Sequence, residues 1–117
     1  MMYELCKAKI HRLTVTDADL HYEGSITIDA DLLKASGIRP YEKVQVADVT
    51  NGNRFDTYVM VGPAGSGTVC VNGAAAHLAK KGDIIIVISY AYVDEKELKG
   101  FKPRIVLVNE KNQIVKK

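Results

Sequence analysis

The chain contains no tryptophan, only two cysteines and three prolines, few aromatic residues, and nearly balanced charges. Cys6 and Cys70 lie far apart without C-x-x-C or Cys/His spacing, which argues against a disulfide framework and a metal site and favours a reducing, cytoplasmic setting. A net charge of +2, spread evenly over 117 residues, argues against a nucleic-acid partner. An apolar fraction of 47% indicates an ordinary globule, which we expect to be one domain over residues 1–117.

The chain also lacks a long apolar segment. Its longest apolar run, IIIVISYAYV at residues 84–93, is about half the length of a membrane span and is interrupted by Ser89 and by tyrosines. The N-terminal MMYELCKAK carries Glu4 and Lys7, which is not the pattern of a signal peptide. We therefore expect no membrane partner, and we predict a buried strand at residues 84–93.

Short clusters of β-branched residues separated by turn signals predict many short strands. The clusters occupy residues 10–16, 26–28, 44–49, 55–61, 68–71, 84–93 and 105–108. Asn51-Gly52 predicts a type I′ hairpin turn, in which both central residues have positive φ. GPAGSG at residues 62–67 predicts a looser connection.

Two short helices are predicted between the strands. Asp29 can cap a helix in DADLLKAS, and Gly37 can end it in the left-handed conformation. AAAHLAKKG, residues 74–82, predicts the second helix. Because closure removes the exposed edges of so many strands, we predict a mainly β fold in the form of a closed barrel with short capping helices.

The stretch HYEGSITID, residues 21–29, places Gly24-Ser25 inside a run that otherwise resembles a strand. A serine hydroxyl can reach the carbonyl that precedes it, and glycine permits backbone geometries that other residues avoid. Gly-Ser pairs are nevertheless common in ordinary turns. Taken alone, the dipeptide indicates a turn.

Four blocks of sequence, read together, resemble the pyruvoyl-dependent aspartate 1-decarboxylase family. They are AKIHRLTVT at residues 8–16, ADLHYEGSITID at 18–29, VTNGNRFDTYV at 49–59 and VNGAAAHLAKKGDIIIVISY at 71–90. Their order and spacing match the family, and the resemblance fades after Tyr90. It implies an all-β, six-stranded double-psi β-barrel with short capping helices.

The resemblance further implies that the chain cuts itself between Gly24 and Ser25. A β chain of residues 1–24 and an α chain of residues 25–117 would result, and Ser25 would become a covalent pyruvoyl cofactor. This group would form a Schiff base with L-aspartate and take up the electrons released with CO₂. The product, β-alanine, would enter pantothenate and coenzyme A synthesis. Family members are homotetramers with active sites between protomers, so we expect Arg54 or its neighbours to act across an interface.

The resemblance assigns roles to further residues. Lys9 and Arg54 are expected to bind the substrate carboxylates, with Arg54 suited to a bidentate grip. Tyr58 is expected to donate a proton after CO₂ leaves. Thr57 is expected to stabilise an oxyanion during cleavage and to contact substrate.

The remaining expected site residues lie near the start of the second predicted helix and around Ser25. Backbone N–H groups at a helix start have no intrahelical partner and suit an anion. These positions are Asn72, Gly73, Ala74 and Ala75. His11 and Tyr22 are expected to surround the pyruvoyl group in a second layer, and no metal is expected.

Two alternative functions remain open at this point. The chain could be a non-catalytic double-psi barrel that serves as a binding module, although the joint presence of Ser25, Lys9 and Arg54 argues against this. It could also be a pyruvoyl enzyme for another acidic amino acid, such as glutamate. The separation of Lys9 and Arg54 would distinguish the two substrates, and the sequence does not determine it.

Overall fold

Eight strands form one sheet in the computed structural model, which describes residues 1–115. The strands are β1 (Met2–Thr14), β2 (Asp17–Asp19), β3 (Ser25–Asp29), β4 (Lys43–Asp48), β5 (Arg54–Gly62), β6 (Val69–Asn72), β7 (Ile84–Asp94) and β8 (Arg104–Leu107). Helix α1 spans Ala30–Ser36, and 3-10 turns span Gly73–His77 and Glu95–Glu97. Each predicted cluster corresponds to a strand. The patterns did not predict β2 or the first part of β1.

The sheet closes on itself through the segment that contains β1 and β2. The strand order is β2-β6-β3-β5-β4-β7-β1-β8, so β1 pairs with β7 near one end and β2 pairs with β6 at the other. Only two residues separate β1 from β2, and the Thr16 N–H donates to the Val69 carbonyl at 2.8 Å. The mainly β barrel is therefore confirmed. Six strands form its wall when β1 and β2 are counted as one, and β8 adds to β1 outside this ring.

The barrel interior is filled by every second residue of its strands. Ile26 and Ile28 of β3 and Val44 and Val46 of β4 are buried in one apolar cluster. Burying a side chain of this size contributes about 1.5 to 3 kcal/mol. Because successive side chains of a strand face opposite sides, Ser25 and Thr27 of β3 lie on the outer face of the barrel.

The long strand β1 is irregular at two points. Its pairing with β7 shifts between Cys6 and Ala8 and again between Ile10 and Leu13. At the first shift, the Lys7 ammonium lies 2.8 Å from a carboxylate oxygen of Glu42. At the second, Arg12 has a φ of 65°. Bulges of this kind increase local twist, which helps a long strand to follow a barrel wall.

Helix α1 begins and ends where the sequence predicts. The Asp29 carboxylate accepts from the Asp31 N–H at 2.8 Å, and Gly37 adopts a left-handed φ of 75°. Asp29 also accepts from Gly65 and Gly67 in the predicted 62–67 connection. Burial alone would raise the pKa of Asp29, but these backbone donors outweigh it and hold the pKa below its ordinary value.

The second predicted helix is shorter than expected. Only Gly73–His77 is helical, as a 3-10 turn, so the prediction of a helix through Gly82 is wrong. The Gly82 N–H donates to the Val15 carbonyl at 2.8 Å, and the Lys80 N–H donates to the Asp83 carboxylate at 3.0 Å. These bonds direct the chain into β7. Among residues 1–115, no helix combines the length and apolarity needed to cross a bilayer.

The predicted hairpin joins β4 to β5, but its turn type differs from the prediction. Gly52 has a φ of 81°, whereas Asn51 does not have the positive φ that a type I′ turn requires. The Asp48 carboxylate accepts from the backbone N–H groups of Thr50 and Asn51 at 2.8 and 3.1 Å. The turn is longer than the predicted two-residue turn because the buried Asp48 side chain accepts from the backbone donors of the turn.

The other carboxyl oxygen of Asp48, Oδ2, is buried and has no hydrogen-bond donor among residues 1–115. The negative charge of the Asp83 carboxylate acts on this buried group and favours its protonated form. Burial and this contact raise the pKa of Asp48, and the hydrogen bond from Asp48 lowers the pKa of Asp83. Of the two carboxyl groups, Asp48 is therefore the one that takes up a proton more readily.

Replacing Asp48 by asparagine is expected to stabilise the chain at neutral pH. Because folding raises the pKa of Asp48, wild-type stability is lost as pH rises from the unfolded pKa of about 3.9 through the folded value. An asparagine amide donates to Asp83 at every pH. We expect D48N to gain about 1 kcal/mol over wild type at pH 7.5 and less at pH 4.5, measured by urea unfolding.

Glu97→Gln, at an exposed carboxylate, is the control for removal of one negative charge. It should show no comparable pH-dependent gain. A D48N chain that is less stable than wild type at both pH values would show that Asp48 does not favour the protonated form beside Asp83.

Candidate functional site

Ser25 lies in the barrel wall between two strands that both contribute to its surroundings. In the antiparallel β3–β6 pair, Ser25 is opposite Asn72. In the parallel β3–β5 pair, Ile26 is opposite Val59, so Ser25 lies beside Tyr58. The Ser25 side chain is 1% exposed, whereas the preceding Gly24 lies at the surface.

The Asn72 side chain connects several polar groups on this part of the wall. Its Nδ2 donates to Ser25 Oγ and to Thr27 Oγ1, both at 3.1 Å. Its Oδ1 accepts from the Cys70 thiol, with Sγ at 3.1 Å. Asn72 is only 3% exposed, so these bonds satisfy an amide that would be costly to bury without partners.

The backbone around Gly24 rests directly on Gly73. A Cβ at Gly73 would lie 2.6 Å from the Gly24 Cα and 2.8 Å from the Gly24 nitrogen, and Gly73 has a left-handed φ of 72°. A Cβ at Gly24 would meet nothing within 4 Å, and its φ is not left-handed. The steric need for glycine that we expected at Gly24 therefore lies at Gly73.

Thr57 and Tyr58 face opposite sides of β5. Tyr58 shares the outer face with Arg54 and is 37% exposed. Thr57 is opposite the buried Val44, so its side chain faces the interior, and the strand register places it beside Gly24. The structure thus brings both predicted residues next to the Gly24-Ser25 bond, one on each face.

Lys9 and Arg54 are not brought to Ser25 within one chain. Lys9 lies on β1, which pairs with β7 and β8, whereas the strand of Ser25, β3, pairs with β5 and β6. Arg54 precedes Tyr58 by four residues, roughly 13 Å along the strand, and its Nη1 donates to Gln45 Oε1 at 3.3 Å. Both residues lie on strands that surround Gln45, away from the serine.

The other predicted site residues lie either beside the contact between Gly24 and Gly73 or on β1. Tyr22 is 60% exposed, and its carbonyl oxygen lies 3.1 Å from the position of a Gly73 Cβ. Ala74 and Ala75 follow Gly73 at the start of the 3-10 turn, where the sequence placed the backbone N–H groups expected to bind substrate. His11 lies on β1 opposite Leu107 of β8, and β1 is not a direct neighbour of β3 in the sheet.

Two residues of the site, Thr27 and Cys70, were missed by the sequence analysis. They pair with each other two residues along the ladder from the Ser25–Asn72 pair, on the same face of the wall. The sequence did contain a two-residue spacing that could have indicated them. Thr27 lies two residues after Ser25, and Cys70 lies two residues before Asn72. Without the strand pairing, that spacing does not distinguish them from other polar strand residues.

A recess of about 590 Å³ lies on the outer face of the barrel, over β4, β5 and β7. It is not at Ser25. The residues that line it include Glu4, Glu42, Gln45, Asp56, Tyr90 and Tyr92. Ser25 lines neither this recess nor the recess of about 200 Å³ beside Asp29 and Asn112.

A family model and several known proteins that match this chain all indicate the same family. The family model described as aspartate decarboxylase matches residues 1–115. An aspartate 1-decarboxylase from Leptospira biflexa is 54% identical over 97% of both chains. One from Syntrophus aciditrophicus is 58% identical over 94% of this chain and 95% of its own, and one from Acetivibrio thermocellus is 57% identical over 98% and 91%.

Replacing Gly73 by alanine is expected to destabilise the chain beyond the usual cost of a left-handed alanine. Gly82 is the matched control, because its φ is 92° and a Cβ there would meet nothing within 4 Å. Gly82→Ala should cost about 1 to 2 kcal/mol, and Gly73→Ala about 1 to 3 kcal/mol more because of the contact with Gly24. Urea unfolding measures both. Equal losses would contradict the close approach of Gly73 to Gly24.

Proposed function

The chain belongs to the aspartate decarboxylase family, and we propose that it converts L-aspartate to β-alanine and CO₂ with a pyruvoyl group made from its own Ser25. The observation that carries the proposal is the buried Ser25 hydroxyl, hydrogen-bonded by Asn72, next to a Gly24 backbone that rests on Gly73. A positioned hydroxyl beside a supported carbonyl suits attack on that carbonyl.

In the proposed maturation, Ser25 Oγ attacks the carbonyl carbon of Gly24, and the acyl group moves from nitrogen to oxygen as the peptide bond breaks. Elimination of the Gly24 carboxylate and hydrolysis at residue 25 then consume one water in total and release one ammonia. The products are residues 1–24 and 25–117. Asn72 Nδ2 stabilises the oxygen of Ser25 as its proton leaves, and Thr57, beside Gly24, is assigned to the carbonyl oxygen.

The surroundings of Ser25 fit a small covalent group. The absence of a Cβ at Gly73 leaves room for the backbone of residue 24, and Asn72 provides a donor toward residue 25. The pyruvoyl group would supply a sink for the electron pair released with CO₂. Tyr58 Oη would donate a proton to the carbon that loses CO₂. Lys9 and Arg54 would bind the carboxylates of the substrate.

We propose a homotetramer in which active sites lie between protomers. Within one chain, Lys9 lies on a strand that does not pair with the strand of Ser25, and Arg54 lies four residues along β5 from Tyr58, the residue beside Ser25. A second copy that covers the outer face would bring its own cations to the serine and enclose the wall around it. Exposed tyrosines on this face, Tyr90 at 42% and Tyr92 at 70%, suit such a contact.

We also propose a use for the product and a compartment for the reaction. We propose that β-alanine from this enzyme supplies pantothenate and coenzyme A synthesis. We also propose that the enzyme works in the cytoplasm, because the thiols of Cys6 and Cys70 are free and a reducing compartment would keep them so.

Self-cleavage predicts two fragments in an intact-mass spectrum of the denatured, full-length protein. They should end at Gly24 and begin at residue 25, and the larger should be lighter by one ammonia than the same peptide with an N-terminal serine. Ser25→Ala should fold, remain uncleaved and release no CO₂ from aspartate. Decarboxylation by the uncleaved Ser25→Ala chain would contradict the proposed cofactor.

The same preparation distinguishes the alternative functions. A wild-type chain that stays intact and inactive would favour a binding module. A cleaved chain that releases CO₂ faster from glutamate than from aspartate would favour a different acidic substrate.

A shared active site predicts that two inactive chains restore activity when they are co-expressed. Ser25→Ala lacks the cofactor precursor, and Arg54→Ala lacks the cation. If sites form between protomers, a mixed oligomer contains sites in which Ser25 comes from one chain and Arg54 from the other. With random mixing about a quarter of all sites contain both intact residues, so we expect about a quarter of the total wild-type activity, measured as CO₂ release from aspartate. Mixed oligomers without activity would place Arg54 and Ser25 of the same chain in one site.

A further inference from the structure

Cys70 makes a contact that the proposed reaction does not yet explain. Its Sγ lies 3.1 Å from Asn72 Oδ1, and the Nδ2 of the same amide lies 3.1 Å from Ser25 Oγ. Cys70 lies on β6 two residues before Asn72, so both side chains are on one face of the wall. The thiol therefore reaches Ser25 through a single amide group.

The orientation of that amide determines whether a donor or an acceptor faces Ser25. The hydroxyls of Ser25 and Thr27 can each donate or accept, so they are compatible with either orientation of Asn72. The Cys70 S–H donates to Oδ1 when Nδ2 faces the two hydroxyls, whereas in the reverse orientation Nδ2 would meet sulfur, which is only a weak acceptor. The thiol is the partner that favours one orientation over the other.

The surroundings of Cys70 keep its hydrogen in place. Burial raises the pKa of the thiol, and the negative charges of Asp17 and Asp19 on the neighbouring strand β2 raise it further. Asp17 pairs directly with Cys70, and Asp19 pairs with Asn72. A neutral thiol can donate to Oδ1, whereas a thiolate would repel it.

We propose that Cys70 is a positioning residue for chain cleavage, which fixes the Asn72 amide so that its Nδ2 faces the attacking oxygen of Ser25. The inference rests on the proposed function, in which Ser25 attacks Gly24. With Nδ2 toward Oγ, the amide stabilises the negative charge that develops as the hydroxyl loses its proton. With the amide reversed, Oδ1 would face that charge and oppose it.

Three substitutions at Cys70 separate hydrogen bonding from packing. Serine keeps a donor, alanine removes it, and valine removes it while it keeps the volume. Each full-length chain is made by cell-free synthesis, and the uncleaved fraction is followed over time by intact mass. We expect Cys70→Ser to cleave within about threefold of the wild-type rate, and Cys70→Ala and Cys70→Val to cleave roughly tenfold more slowly, the loss of one hydrogen bond.

A double-mutant comparison tests whether Cys70 acts through Asn72. If it does, Cys70→Ala should slow cleavage roughly tenfold in the wild-type chain and leave the rate of an Asn72→Ala chain unchanged. Cys6→Ala is the matched control, since Cys6 lies on β1 and contacts Ala8 rather than the site. Its cleavage should proceed at the wild-type rate.

Three results would overturn the inference. Normal cleavage by Cys70→Val would show that volume alone matters. Slowing by Cys70→Ala that persists undiminished in the Asn72→Ala chain would show an effect that does not pass through the amide. A wild-type chain that never cleaves would remove the proposed function itself, and this result is distinguishable because it does not depend on any substitution at Cys70.

Discussion

The contact between the backbones of Gly24 and Gly73 is the constraint on which the site depends. No side chain fits between them, because a Cβ at Gly73 would lie 2.6 Å from the Gly24 Cα. This closeness sets the start of β3 against the end of β6 and so pairs Ser25 with Asn72. The pairing buries a serine hydroxyl in a wall otherwise built for apolar packing, and the Asn72 amide satisfies it.

Barrel closure explains why the polar groups of the site share one face. The wall is held by apolar side chains at alternate positions, such as Ile26 and Ile28, and the intervening positions face outward. Ser25, Thr27, Cys70 and Asn72 occupy such outward positions on two neighbouring strands. The site is thus on the outer face of the barrel wall rather than in its filled interior.

The pKa values of two buried aspartates, Asp29 and Asp48, are shifted in opposite directions. Asp29 and Asp48 are both nearly fully buried, and burial favours the neutral form of each. Three backbone donors around Asp29 reverse this effect and lower its pKa. Asp48 has two backbone donors but also meets the Asp83 carboxyl group, so its pKa is raised. Burial is thus offset by backbone donors at Asp29, whereas at Asp48 it is reinforced by the neighbouring Asp83 carboxyl group.

The sequence by itself determined the strand clusters, the limits of α1 and the likeness that singled out Gly24-Ser25, because these depend on short-range patterns such as the Asp29 cap and the Gly37 terminus. It did not determine the turn at Asp48, the early end of the second helix at His77 or the role of Gly73. Tertiary structure decided these, along with the distance of Lys9 and Arg54 from Ser25. Each results from contacts between residues remote in the chain, whose energies a local pattern does not contain.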